Sequence, residues 1–373
     1  MFVCSHRVKL TGIKKQISNI IRTHLSSFSS KNVRSVGIVG LRNVGHNVAR
    51  NLIKSRQSLG DEVSQFVLRA VFDTNNQMTE SLRQYLPKDE IQITRNAADL
   101  ARQCDIVLTC LPTPVHVKAA MESSNGILGS LKEKSIWIDH STTDYRQTIA
   151  LACRCSEERN AEALEAPLTG GMSLLRQGNM TCLIGGKRSV FDSVKDLISI
   201  SCLNVLYMGP IGTATITKVI TNMLAGAHNV LMGEALMLGK RGGVDLKALF
   251  DGIRLSAGNS FVVETEAPLV FNGTYNPDFT VALHCKDFDL GYKIAKEHNT
   301  PLPMFSLAQQ IYNHARFKYG DDVGSSIPPK LMEDSLNESL QITGFKNWHY
   351  DVQTVEGGSL GVVHKTKTAS DVD

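Results

Sequence analysis

From Val36 onward, short β-branched runs alternate with stretches whose apolar residues recur every three or four positions. The first run, SVGIVG, places Val36, Ile38 and Val39 in a strand. A glycine-rich turn follows, then an amphipathic helix marked by Val44, Val48, Leu52 and Ile53. FVLRAVFD, CDIVLTCLP (Cys104–Pro112), SIWIDHST (Ser135–Thr142), the pair EALEAPLTGG and NMTCLIGG, and NVLYMG continue the strand series. Strands alternating with helices predict an α/β fold with a doubly wound parallel (Rossmann) sheet over 35–208. The period then changes. Gly212 to Gly239 reads as one long helix, with apolar Ile216, Val219, Ile220, Met223, Leu224, Val230 and Leu231 covering most of its circumference. Segments 244–257, 259–271, 278–298 and 301–319 read as further helices, interrupted at Pro268, Pro277 and Pro301. An all-α second domain is therefore expected over 209–328. No strand-period run stands out beyond the long helix, and the tail 329–373 is expected to be poorly ordered.

Charge changes the picture at the N-terminus. The formal net charge of +4 is unevenly placed: residues 1–34 hold seven Lys/Arg and no Asp or Glu, leaving 33 basic against 36 acidic residues. The body thus has no basic excess that calls for a nucleic-acid partner. The leading segment is Ser-rich, with Ile13, Ile17, Ile20, Ile21, Leu25 and Phe28 at helical spacing among Lys14, Lys15 and Arg22. That is the pattern of a mitochondrial transit peptide, with a disordered basic segment as the plain alternative, and it points to the matrix. No apolar run is long enough for a membrane span. The eight cysteines form no CxxC pair, so neither a metal site nor a disulfide is expected.

Two features carry candidate chemistry. Lys218 and Asn222 lie four residues apart on one face of the long helix, among apolar neighbours. A buried ammonium is costly unless paired or used, so Lys218 is either a working amine or one that snorkels to a wet edge. The turn Gly40-Leu41-Arg42-Asn43-Val44-Gly45, between strand and helix, suits a dinucleotide pyrophosphate. Arg42 stands where the second glycine of G-x-G-x-x-G lets the backbone approach the phosphates. Asp73, at the end of the second strand, accepts ribose hydroxyls and repels a 2′-phosphate, or simply caps its turn. NAD is therefore preferred over NADP.

Taken together, five blocks resemble the β-hydroxyacid dehydrogenase family, most of all its 3-hydroxyisobutyrate dehydrogenase branch. They are GLRNVGHNVARNL, LPTP with DHSTTD, EAPLTGG with GNMTCLIGG, GxxxxxKxxxNM from Gly212, and CKDFDLG, in order between Ser35 and Ile327. The resemblance implies Lys218 as general acid/base and Asn222 as the residue that orients substrate. It implies Ser141 and Thr142 beside the nicotinamide, and Thr169, Gly170 and Gly171 around the substrate carboxylate. Leu111 and Pro112 would line the cofactor, and Lys286 would close the site. Arg42, Thr169, Thr221, Tyr145 and Gly324 depart from the family pattern. The reading is an NAD-dependent dehydrogenase of a small 3-hydroxy carboxylic acid, in a homodimer or homotetramer. Two alternatives stay open: a non-catalytic homologue with weakened dinucleotide binding, and an NADP-dependent tartronate or succinic semialdehyde reductase.

Overall fold

The structure, a computed structural model, describes residues 33–59, 65–85, 91–354 and 360–366. The transit peptide expected over 1–34 lies outside the described residues apart from Val33 and Arg34, and Arg34 is the first residue of β1. In chain order the first half runs β1 (Arg34–Val39), α1 (Asn43–Leu59), β2 (Phe66–Phe72), α2 (Asn76–Arg83), β3 (Gln92–Ile93), α3 (Ala97–Ala101), β4 (Ile106–Thr109) and α4 (Pro114–Glu122). It continues with β5 (Ile136–Asp139), α5 (Tyr145–Arg159), β6 (Glu162–Glu165), β7 (Leu168–Thr169), α6 (Met172–Gln177), β8 (Met180–Gly186), α7 (Arg188–Ser199) and β9 (Cys202–Gly209).

Strands β3-β2-β1-β4-β5-β6 are all parallel. Beyond them β8 runs antiparallel to β6 and β7, and β9 pairs parallel with β8. The doubly wound sheet is as expected; its far edge is mixed rather than wholly parallel. Successive residues of the central strands feed opposite faces. Ile106, Leu108, Ile136 and Ile138 join one core with α1 and α7, while Val107 and Trp137 join another with α3, α4 and α5. Strands buried on both faces read as unbroken apolar runs. Strand order reverses at β1, between β2 and β4, and open α/β sheets bind ligands at such a point.

The second domain is α8 (Thr213–Arg241), α9 (Leu246–Arg254), α10 (Phe261–Phe271), α11 (Val281–Glu297), α12 (Pro303–Tyr319) and α13 (Pro329–Leu336). Helix α10 runs through Pro268 rather than breaking there. Glycines set how closely α8 packs: a Cβ on Gly226 would stand 2.7 Å from Phe288, and one on Gly291 2.0 Å from the Met223 sulfur. The start of α8 is capped from the sheet domain, where the buried Glu165 carboxylate accepts the N–H groups of Ala214 (2.7 Å) and Thr215 (3.2 Å). A carboxylate there suits the helix dipole and fixes the long helix to the sheet.

The described part of the tail corrects the expectation of poor order. After α13 come two antiparallel strands, β10 (Trp348–Thr354) and β11 (Leu360–Thr366). Trp348, Tyr350 and Val352 alternate with His349, Asp351 and Gln353, a period of two that makes one apolar face. Val352 packs on the sheet-domain core and Trp348 on the helical core, so the hairpin bridges both.

Candidate active site

The glycine turn leaves β1 at the switch point. Gly40 has φ +91°, and a Cβ there would stand 2.4 Å from the Cys110 carbonyl oxygen; one on Gly45 would stand 1.8 Å from the Gly40 oxygen. Both positions require glycine. Position 42 does not, because Arg42 has no positive φ and its side chain is exposed. The first N–H groups of α1 have no acceptor within the helix, and a helix terminus of this kind suits an anion. Asp73 holds this turn: its carboxylate accepts the Leu41 N–H at 2.6 Å and the Asn75 N–H at 2.8 Å. Asn43 reaches across the cleft to the Asp278 carbonyl, 3.3 Å away. Val44 is half-buried behind the turn.

The wall beyond β4 and β5 is one connected network. The Leu111 N–H donates to Ser141 Oγ (2.9 Å), the Ser141 N–H donates to Asp139 Oδ1 (3.0 Å), and Thr109 Oγ1 donates to the same oxygen (2.8 Å). Burial pushes the Asp139 carboxyl up to about 6, against these hydrogen bonds and the charge of Lys286. Pro112, beside Leu111, is half-buried on this wall. Lys286, on α11, donates to the Thr142 carbonyl at 2.7 Å and lies 2.9 Å from Asp287.

Lys218 sits on α8, 7% exposed. Burial lowers its pKa to about 8; Asp287 opposes that shift and the like charge of Lys286 adds to it. An amine so placed exchanges a proton near neutrality. Asn222, one turn on, donates from its side chain to Asp287 (2.6 Å), and its carbonyl lies 2.9 Å from the His284 ring. Thr221 does not replace a second amide, because its hydroxyl donates to the Lys218 carbonyl at 2.8 Å.

Lys218, Asn222, Asp287 and Lys286 thus lie together on α8 and α11, and Lys286 ties them to the wall of Leu111, Ser141 and Thr142 through the Thr142 carbonyl. Thr169, Gly170 and Gly171 form a separate turn leaving β7, with φ +127° at Gly170 and +91° at Gly171. No hydrogen bond among the described residues joins this turn to Lys218. Sequence reasoning missed Asp139 and Glu165, although each lies inside a motif already singled out, and it paired Asp287 with Lys286 without foreseeing its bond to Asn222. It also missed Tyr350, which reaches Gly171 from the hairpin. Among the described residues, no group of three or more His, Cys, Asp or Glu is placed to hold a metal ion. Nor is any helix among them long and apolar enough to cross a membrane.

Residues 35–209 match the family model for the NAD-binding domain of 6-phosphogluconate dehydrogenase. Residues 212–331 match that for the NAD-binding domain of NADP-dependent 3-hydroxyisobutyrate dehydrogenase. The human protein named mitochondrial 3-hydroxyisobutyrate dehydrogenase is 31% identical over 308 residues, 79% of this chain and 87% of its own length. L-threonate dehydrogenase of Cupriavidus necator is 29% identical, over 75% of this chain and 89% of its own. Mycobacterium tuberculosis 3-hydroxyisobutyrate dehydrogenase, solved with L-serine, shares the fold at a TM-score of 0.70 and 22% identity, covering 80% of this chain and 99% of its own. The two family models span the sheet domain and the helical domain between them, and with these relatives they show that the chain belongs to the β-hydroxyacid dehydrogenase family of NAD(P)-dependent oxidoreductases.

Proposed function

We propose that this protein oxidises a short 3-hydroxy carboxylic acid of the 3-hydroxyisobutyrate kind with NAD, Lys218 being the general acid/base. The observation that carries this is Lys218 itself, a dry amine whose pKa is lowered to about 8 beside Asp287 and Lys286. Gly40, Leu41, Arg42, Asn43, Val44 and Gly45 would hold the pyrophosphate, with Leu111, Pro112 and Thr142 against the nicotinamide. When bound, the nicotinamide supplies the acceptor for the hydride leaving the carbinol carbon. Neutral Lys218 Nζ takes the hydroxyl proton as the carbonyl forms, and returns it in the reverse direction. Asn222, held by Asp287, orients the hydroxyl. Ser141 and the turn Thr169–Gly171 hold the carboxylate, and Lys286, anchored on the Thr142 carbonyl, closes the cleft from the second domain.

The preference for NAD over NADP is supported by Asp73, an acid at the end of the second strand whose carboxylate is fixed against the glycine turn and would repel a nearby 2′-phosphate. The exposed Arg42 side chain leaves the turn open, which favours the enzyme over a non-catalytic homologue. The basic leader and the mitochondrial relatives support the matrix as its location. An exposed aliphatic stripe on α8, with Ile220, Leu224, Leu231 and Leu238, supports a homodimer or homotetramer. The test of the reading is NADH formation from 3-hydroxyisobutyrate by the wild type and by Lys218→Ala. Loss of turnover in the variant is expected, with NAD binding retained; undiminished turnover overturns the mechanism.

A further inference from the structure

The hairpin β10–β11 lies beyond the matched family models, which end at residue 331, and the proton chemistry above makes no use of it. Yet it reaches the turn Thr169–Gly171. A Cβ built on Gly171 meets one atom within 4 Å outside its chain neighbours, the Tyr350 hydroxyl oxygen, at 2.9 Å. Apart from that phenol, the exposed Gly171 faces open space.

The ring of Tyr350 is firmly held. Trp348 stacks on it at 5.5 Å between centroids, and Phe261 meets it edge-on at 6.2 Å. Its carbonyl accepts from Ser173 Oγ (3.4 Å), and Gln177 donates to Asp351 (2.9 Å), so β10 is fixed to α6 just after the turn. On the other side Trp348 Nε1 donates to His364 Nδ1 (3.0 Å), which leaves the His364 proton on Nε2 to bond Glu264 (3.1 Å) on α10. The hairpin is thus tied to both domains. Burial, with the Glu266 carboxylate adding, pushes the Tyr350 phenol up to about 12, which keeps it a donor.

We propose that Tyr350 is a substrate-contacting residue: its phenol O–H donates to the carboxylate held at Thr169–Gly171, and its ring roofs that end of the pocket, restricting it to short hydroxyacids. The proposal rests on the assignment of that turn to the carboxylate in the preceding section. The pairing is complementary in shape. Gly171 is held in a left-handed conformation and can carry no side chain beneath the phenol, so the donor that an ordinary loop residue would provide comes from the hairpin instead.

The test compares the full-length wild type, Tyr350→Phe and Lys218→Ala. It uses steady-state oxidation of 3-hydroxyisobutyrate with NAD and calorimetric binding of the same acid to the NADH-loaded proteins, which do not oxidise it. A hydrogen bond to a charged group present in both ground and transition states acts on binding, so Tyr350→Phe is expected to raise KM and the acid's Kd about tenfold, with kcat and NAD affinity within about twofold. Tyr350→Ala, which also loses the phenol, is expected to raise the ratio of kcat/KM for 2-ethyl-3-hydroxypropanoate to that for 3-hydroxyisobutyrate by opening the roof, and an unchanged ratio removes the roof from the proposal. If the wild type oxidises the acid in a Lys218-dependent way and Tyr350→Phe leaves KM and Kd unchanged, Tyr350 is structural only and the proposal falls while the catalytic reading stands. If the wild type neither binds nor oxidises short hydroxyacids, the reading of the turn falls and takes the proposal with it.

Discussion

At the scale of single residues, the proposed mechanism turns on which protonation state Lys218 holds. Oxidation needs the neutral amine to accept a proton, whereas reduction needs the ammonium to donate one. With the pKa lowered to about 8, kcat/KM for hydroxyacid oxidation is expected to rise as pH increases through about 8 and then level off; that for aldehyde reduction is expected to fall over the same range. Rate profiles in the two directions check this, and parallel profiles would refute the assignment. Asp73 supports a second prediction. Replacing it with Ala removes the acceptor of the Leu41 N–H and the charge that disfavours a 2′-phosphate. The NADP/NAD ratio of kcat/KM is expected to rise on the order of tenfold, about 1.4 kcal/mol. Both residues were legible in the sequence because each sits at a fixed offset from a strong local signal, a long helix or a strand end. The partners that make them work were not. Asp287 lies next to Lys286 in sequence, but that it bonds Asn222 is a fact of packing between α8 and α11. Tyr145, where the family has proline, donates to Glu297 of the second domain at 2.5 Å, a role that no local pattern announces.

At the scale of elements, α8 is the axis on which the helical domain is assembled, and its glycine contacts control the fit. Gly291→Ala would drive a methyl into the Met223 sulfur, 2.0 Å from the ideal Cβ, in a fully packed core. Overpacking of this kind costs about 1–3 kcal/mol, so a lower thermal midpoint is expected, with Kd for NAD little changed; denaturation and cofactor titration of the same variant separate the two effects. The four helical segments after α8 were readable because helix period persists over many residues: 259–271 was expected and Phe261–Phe271 is found. Helix α1 continues to Leu59, which lengthens the span between the glycine turn and Asp73. The hairpin escaped notice for a physical reason. Its alternation in WHYDVQT is short, its second strand LGVVHKT follows a glycine-containing stretch, and its stability comes from Trp348 and Val352 meeting two different cores. Strand propensity is decided by such packing more than by the residues themselves.

At the scale of the molecule, Leu224, Leu231 and Leu238 recur every seven residues along one exposed face of α8, between 43% and 75% accessible. If a second copy covers that face, light scattering should give a dimer or tetramer, and the double substitution Leu224→Glu, Leu231→Glu should give a monomer; a monomeric wild type would refute this. The two domains also meet around the rim of the cleft. Arg176 pairs with Asp278 and Asn43 bonds the Asp278 carbonyl at one end; Lys293 pairs with Asp144 and Arg146 with Glu297 at the other. The basic member of each pair is more than half exposed, and such pairs contribute little singly and are screened by dissolved ions. The lobes are therefore latched weakly at the water line while the amine between them stays dry. Added electrolyte is expected to loosen the contact between the lobes at the rim, while the charge of Lys218, buried between them, is screened much less.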